Sequence, residues 1–464
     1  MQDCVFLLAK IREMEYNTIV GMKFSTIKNL LLMLEVKSMK LTEMSREELL
    51  EFKNKVQEEY DGYKAQGLAL NMARGKPAAE QLDLTEGLLT AVSKSSDCFD
   101  DTGLDCRNYG GLDGLPAAKK LFAPMLGVSE KELIVFGNSS LNIMYDTIAK
   151  YLLFGVDEQS KPWRDQGKIK WLCPVPGYDR HFLICEKFGI EMINIPTDEN
   201  GPDMDMIEKL VAEDESIKGI WCVPMYANPT GVTYSDEVVK RFANMKTKAS
   251  DFRIFWDNAY CVHHLNDTPD KLLNILDECK AAGCPERVVM FASTSKISYA
   301  GAGVAIMGAS EANIKYILSL MTVQTIGHDK INQLRHVKFF GDFEGLKEHM
   351  KKHRALIAPR FEVVLNTLEN ELGELGIAQW TKPNGGYFVS FNAMNGTAKR
   401  IVTLCKEAGV VLTGAGATFP YGKDPEDKNI RVAPTYPPVE ELKIAAKLFT
   451  VCVKLASAEK LLEA

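Results

Sequence analysis

Four short apolar runs, Ile169-Lys170-Trp171-Leu172-Cys173, Gly219-Ile220-Trp221-Cys222-Val223, Arg253-Ile254-Phe255-Trp256 and Val288-Val289-Met290-Phe291-Ala292, recur between segments of helical periodicity. Runs this short, rich in β-branched and aromatic residues, read as strands buried on both faces. Alternated with amphipathic helices, they predict a mostly parallel sheet with crossover helices, and so an α/β fold. Gly303 to Gly308 is expected to return the chain to the same sheet. After about residue 310 the pattern changes to long helices, Lys330 to Phe340 and Phe343 to Glu371, the second carrying Pro359 as a kink or restart. In such sheets ligand-facing groups collect beyond the carboxyl ends of the strands.

Four polar segments stand out, Asn228-Pro229-Thr230-Gly231, Asp257-Asn258-Ala259-Tyr260, Ser293-Thr294-Ser295-Lys296 and Asn429-Ile430-Arg431, of which the second and third directly follow predicted strands. Taken singly each is ordinary. An Asn-Pro-Thr-Gly run is usually a turn, and a lysine after a strand is usually solvated. In this order they supply the parts of a pyridoxal-phosphate site. Lys296 follows a buried strand, which delivers a sheltered amine of the kind that forms a Schiff base with an aldehyde. On these residues the chain, over roughly residues 60 to 460, resembles the class I aminotransferases of the type I pyridoxal-phosphate fold. Asn71-Met72-Ala73-Arg74-Gly75-Lys76-Pro77 and Thr325-Ile326-Gly327 resemble a divergent aspartate-aminotransferase-like branch.

The resemblance implies a large domain, with a mostly parallel sheet flanked by helices, and a smaller α+β domain. Residues 1–38 read as an N-terminal extension, 39–75 as an arm contributing to the small domain, 76–340 as the large cofactor-binding domain and 341–464 as the small domain. The cofactor is pyridoxal 5′-phosphate. Lys296 would carry it and move the substrate Cα proton, and Asp257 would pair with the pyridine nitrogen. Tyr260 and Asn228 would reach its phenolic oxygen. Asn138, Ser139 and Ser140, after the strand Leu133 to Phe136 and before a helix to about Leu153, match the phosphate cup, completed by Ser293 and Ser295. A helix start with hydroxyls suits an anion, although serines capping a helix are commonplace. Tyr178 matches an aromatic that stacks on the ring, and Tyr109 one that reaches the neighbouring subunit's phosphate, which implies a homodimer. Arg431 matches the arginine that grips the substrate α-carboxylate, its planar fork suited to bidentate binding, with Gly75 letting the backbone approach. One departure stands out. The family's phosphate-directed arginine, a short way after the lysine, is replaced by Gly301-Ala302-Gly303-Val304, which makes Lys330 and Arg335, in the same chain or from the partner subunit, the candidates to balance the phosphate charge.

The expected activity is transfer of an amino group from an amino acid, aspartate or glutamate, to a 2-oxo acid such as 2-oxoglutarate. The alternative is a β-lyase or decarboxylase with the same cofactor. A ligand-sensing regulatory domain of this fold is disfavoured, because the roughly 40 leading residues are too apolar for a basic winged-helix module. A second substrate carboxylate needs a second cation, and Arg74, Lys76, His181 and Arg335 are candidates.

Composition narrows the partners. The 464 residues, 46% hydrophobic and 25% charged, suffice for more than one core, and the net charge of −7 argues against a nucleic-acid surface. Eleven cysteines show no CxxC pair or metal spacing and read as reduced residues of a cytoplasmic protein. No apolar stretch near the N-terminus approaches the roughly 18 residues of a membrane span. Ser45-Arg46-Glu47-Glu48 forms a capping box opening a helix to about Gln66, so the functional chain is expected to begin near Met39. No metal is expected. His349 and His353, at i,i+4 spacing beside Lys351 and Lys352, read as a solvated face, His263 and His264 as structural, and Gly385-Gly386 as a turn entering a strand.

Overall fold

The computed structural model describes residues 40–463. The expectation of an N-terminal extension lies outside them. Twelve strands form among the described residues: β1 Leu70–Asn71, β2 Leu133–Val135, β3 Lys170–Val175, β4 Glu191–Pro196, β5 Ile217–Cys222, β6 Arg253–Asp257, β7 Val288–Ser293, β8 Ala305–Ala309, β9 Ala378–Trp380, β10 Val389–Ala393, β11 Val410–Val411 and β12 Asn429–Val432. Seven of them make the main sheet, in the order β2-β8-β7-β6-β5-β3-β4. Only β8 runs antiparallel to its neighbours there, so the sheet is mostly parallel, as the alternation of strand and helix patterns implies. The antiparallel trio β12-β10-β9 and the parallel pair β1-β11 stand apart from it.

Burial on both faces explains why the central strands read as unbroken apolar runs. On β6, Ile254 and Trp256 face one core while Phe255 faces the other, and on β7 Val288, Met290 and Ala292 oppose Val289 and Phe291. The period of two is hidden in the sequence because both faces are dry. Edge strand β4, Glu-Met-Ile-Asn-Ile-Pro, is only half-buried and gave no such run, so sequence reasoning missed it.

Six helices matter for the site: α1 Arg46–Lys64, α2 Ser140–Phe154, α3 Asp179–Phe188, α4 Lys330–Phe340, α5 Phe343–Leu372 and α6 Val439–Glu463. The capping box holds: Ser45 accepts from the Glu48 N–H and the Glu48 carboxylate from the Ser45 N–H. Helix α1 shares a core with α5, α6 and the trio of strands, through Leu49, Val56, Phe361, Leu368, Phe391 and Phe449. That core also takes in Tyr226 and Tyr260 from loops of the main sheet, which brings the two sheets together at one edge. Helix α5 runs through Pro359 without ending, because its apolar stripe continues on both sides and outweighs one lost hydrogen bond. Among the described residues no helix is long and apolar enough to cross a membrane.

Candidate active site

Lys296 sits in the turn after β7, where its ammonium lies 4.8 Å from the Tyr260 ring centroid and 5.7 Å from that of Tyr387. Burial lowers its pKa, with Asp257 opposing the shift and Arg431 adding to it. The lysine is therefore easier to deprotonate than a solvated one. Its turn is pinned from beneath. His349 Nε2 lies 2.9 Å from the Ile297 carbonyl, the Tyr387 hydroxyl donates to the Lys296 carbonyl at 3.5 Å, and His336 Nε2 lies 2.8 Å from Ser298 Oγ. His353 stands 3.0 Å from His349, and Gln81 bridges His353 and Tyr387. The reading of His349 and His353 as a solvated face is thus corrected: both are buried. The lysines beside them point outward while the i,i+4 stripe faces the core. Among the described residues no group of side chains has the makings of a metal site.

Asp257 closes β6 with its carboxylate buried. Oδ2 lies 3.0 Å from His181 Nε2, and Oδ1 is buried with no hydrogen-bond partner. Leaving a buried acceptor unpaired costs roughly 1–3 kcal/mol, more when it is charged, so this oxygen is placed for a donor from outside the chain. His181 is clamped between the Trp221 face (4.3 Å, 10°) and the Tyr178 edge (4.9 Å). It serves Asp257, and its suggested role as a cation for a second substrate carboxylate is corrected on that ground. The i,i+3 spacing of Tyr178 and His181 at a helix start was the signal that could have placed it. Tyr178 itself precedes α3, its hydroxyl pushed up to about 12 by burial and then by Asp257. Burial likewise raises Tyr260 well above the usual phenol range.

A cup of hydroxyls at a helix start, of a kind suited to an anion, lies beside the lysine segment. Helix α2 opens at Ser140, and its N-cap Ser139 makes no side-chain cap bond, which leaves N–H groups of the first turn free. The Ser293 hydroxyl donates to Ser295 Oγ at 3.0 Å and Ser295 Oγ to the Asn138 carbonyl at 3.4 Å. Asn138, Ser139, Ser140, Ser293 and Ser295 are thus brought together. Lys330 is not part of this cup. It is buried and donates to the Asn108 and Gly110 carbonyls at 2.7 and 2.6 Å, while Arg335 makes no hydrogen bond to the cup and its Nε is buried without a partner. The Gly301–Val304 stretch is held by the Asn332 amide, bound to the Ala302 and Gly303 carbonyls.

Arg431 rises from β12, buried, with Nη1 donating to Asn228 Oδ1 at 3.2 Å and to Asp179 Oδ1 at 2.9 Å. Its Nε is buried without a partner, and its guanidinium lies 4.9 Å from the Phe388 ring centroid. Gly75 backs onto that same ring, where a Cβ would collide with Phe388, so glycine lets the backbone lie this close to the ring beside Arg431. Arg74 and Lys76 are exposed, the latter 4.0 Å from the Tyr436 ring centroid. Tyr109 is 79% exposed and touches none of these groups. Asp179 was missed, since nothing in its local sequence marks it. His263 lies 3.4 Å from the Lys296 carbonyl, Nδ1 of His264 pairs with the Tyr226 hydroxyl at 2.9 Å, and the Gly385-Gly386 turn packs on the Tyr226 ring.

Known proteins share this sequence pattern and fold. The aspartate amino-transferase family profile matches residues 44–464. An aspartate transaminase from Corynebacterium glutamicum superposes with a TM-score of 0.89 at 46% identity, covering 91% of this chain and 100% of that one. A Mycolicibacterium smegmatis protein bearing an aminotransferase name is 49% identical over 425 residues, 91% of this chain and 99% of its own. At 19% identity the fold alone is shared with an α-aminoadipate aminotransferase from Thermus thermophilus, with a TM-score of 0.69 over 84% of this chain and 93% of that one. With its sheet, its lysine turn and its match to that profile over residues 44–464, the chain belongs to the aspartate aminotransferase family of type I fold enzymes and is a transaminase.

Proposed function

We propose that the enzyme transfers the amino group of aspartate or glutamate to a 2-oxo acid, with 2-oxoglutarate and oxaloacetate as the natural acceptors, and that its cofactor is pyridoxal 5′-phosphate. The observation that carries the cofactor is Asp257 Oδ1, buried, unpaired and backed by His181: it is an acceptor waiting for a ring N–H. The cup at the start of α2, with Ser139, Ser140, Asn138, Ser293 and Ser295, would hold the phosphate, and Tyr178 would cover the ring. Asn228 and Tyr260 would reach its phenolic oxygen. When bound, the cofactor supplies an electron sink for the carbanion left at the substrate Cα.

The chain's own residues do the rest. Lys296, which burial makes easier to deprotonate, holds the cofactor and then takes and returns the Cα proton. Asp257 holds positive charge on the ring in a low-dielectric setting, where that charge is worth most. Arg431 grips the α-carboxylate through its fork, and Gly75 lets the backbone close over it. Tyr109, exposed in its own chain, acts on the partner's site in a homodimer. Residues 76–340 form the unit that holds the cofactor, while 40–75 with 341–463 form the unit that carries Arg431. Ten free cysteines among the described residues support a reducing, cytoplasmic setting. The C. glutamicum relative's designation as an aspartate transaminase supports the acidic substrates.

A half-reaction screen tests this reading: each amino acid is added singly to the purified enzyme while the cofactor absorbance is followed. Aspartate and glutamate are expected to convert the cofactor faster than alanine, leucine or phenylalanine. Faster conversion by apolar amino acids would overturn the substrate assignment, and release of pyruvate or CO₂ without amino transfer would overturn the reaction.

A further inference from the structure

The Arg431 guanidinium already carries a carboxylate. Asp179 Oδ1 lies 2.9 Å from Nη1, beside Asn228 Oδ1 at 3.2 Å, and the Arg431 side chain is 8% exposed against 27% for Asp179. A substrate carboxylate needs the same cationic fork. Two carboxylates on one guanidinium repel each other, and the fork's full strength is reached only with a single bidentate partner.

We propose that Asp179 is an internal counter-ion of the substrate-binding arginine, occupying its fork in the free enzyme and displaced when the substrate α-carboxylate arrives. The inference rests on the reading of Arg431 given above. Three features fit a group built to leave. Asp179 is the first residue of α3, where the free N–H groups and the helix dipole offer its carboxylate a second favourable place. It is the more exposed partner, so water can receive it, whereas Arg431 is fixed by β12, Phe388 and Asn228. The Arg431 Nε remains buried and unpaired, so the Asp179 pairing does not saturate the fork and an incoming bidentate carboxylate gains a bond that Asp179 does not make.

The consequence is a built-in threshold. The buried arginine is never left as a bare charge, which is costly, and each substrate must repay the internal pair before it binds. Asp179 also follows Tyr178 and precedes His181 in one helical turn, so its departure takes place on the element that backs Asp257.

The test compares Asp179→Asn with Asp179→Glu in the holoenzyme. KM for the amino donor and the Kd of maleate, an unreactive dicarboxylate followed by calorimetry, are measured for each. With the counter-ion neutralised, both constants are expected to fall roughly tenfold, the scale of one charge-assisted hydrogen bond screened by partial exposure. Asp179→Glu should restore values near those of the parent enzyme. Unchanged or raised constants in Asp179→Asn would overturn the proposal and make Asp179 a positioning residue for the arginine. Arg431→Lys separates this outcome from failure of the underlying reading. If it leaves KM and the maleate Kd unchanged, Arg431 is not the carboxylate site at all; if it raises both while Asp179→Asn does nothing, only the counter-ion idea is lost. Far-ultraviolet circular dichroism of each variant reports whether it has folded.

Discussion

The pair Asp257–His181 shows how a carboxylate is kept ready for one more partner. One oxygen is spent inside the chain and the other is not. Replacing Asp257 by Asn keeps shape and burial but removes the charge that would hold a proton on the ring nitrogen. The expected outcome is an enzyme that retains its cofactor and loses about 10²–10³-fold in single-turnover Cα deprotonation, the range for removing one preorganised electrostatic partner. Stopped-flow absorbance after mixing with aspartate measures it, and equal rates for mutant and parent would take Asp257 out of the mechanism. At the same scale Gly75, Phe388 and Arg431 form a stack in which each fixes the next. What this stack requires at position 75 is space, and a sequence shows space only as the absence of a side chain.

Two helices carry predictions of their own. Helix α5 includes Pro359, an exposed position, in an unbroken run of 30 residues. Pro359→Ala restores the N–H that the ring removes, and is expected to stabilise the protein by roughly 1–2 kcal/mol once the lost restriction of the unfolded chain is deducted. A higher urea midpoint at unchanged slope would show it. The buried histidines of α4 and α5 act in the opposite direction. Burial holds His336 down to about 4 and His353 to about 3, from an ordinary value of 6.5. The folded state therefore resists the proton that the unfolded chain accepts. Their contribution is intact above pH 6.5 and is lost as pH falls from there towards 4 and 3. Between pH 7 and pH 5 the two should cost roughly 3–4 kcal/mol together. Urea titrations at the two pH values measure the loss, and His353→Gln should remove about half of it; a stability independent of pH over that range would contradict the assignment. These histidines also brace the lysine turn, so acid is expected to loosen the site as it destabilises the fold.

For the whole molecule the exposed apolar side chains are the informative feature. Tyr109 is joined by Val323 and Ile326, 92% and 60% exposed, and Gly327 packs closely on the Gly110 carbonyl. The two loops therefore make one apolar surface, held from behind by Lys330. A surface of this kind would suit association, and a two-fold dimer would bury the same patch from both chains. Light scattering is expected to give twice the 51.7 kDa chain mass. Val323→Glu should shift the protein towards monomer with loss of activity, and a fully active monomer would overturn the arrangement.

The sequence by itself determined the sheet strands that are dry on both faces, the helix starts and the lysine that follows β7, because these depend on local periodicity and on what must follow a buried strand. It also marked Asp257 by its place at a strand end, and Asn228 and Arg431 by the family resemblance that the order of the four segments carries. Half-polar edge strand β4 and the inward turn of His349 and His353 were decided by tertiary structure, since a side chain's exposure depends on what packs above it and not on its neighbours in the chain. So were the partners: His181 on Asp257, Lys330 on the Asn108–Gly110 loop, Asp179 on Arg431. Charged side chains pair across long sequence separations in this molecule, 252 residues for the last of these. Local sequence records their charge, and only the fold records which opposite charge or carbonyl has been brought within 3 Å.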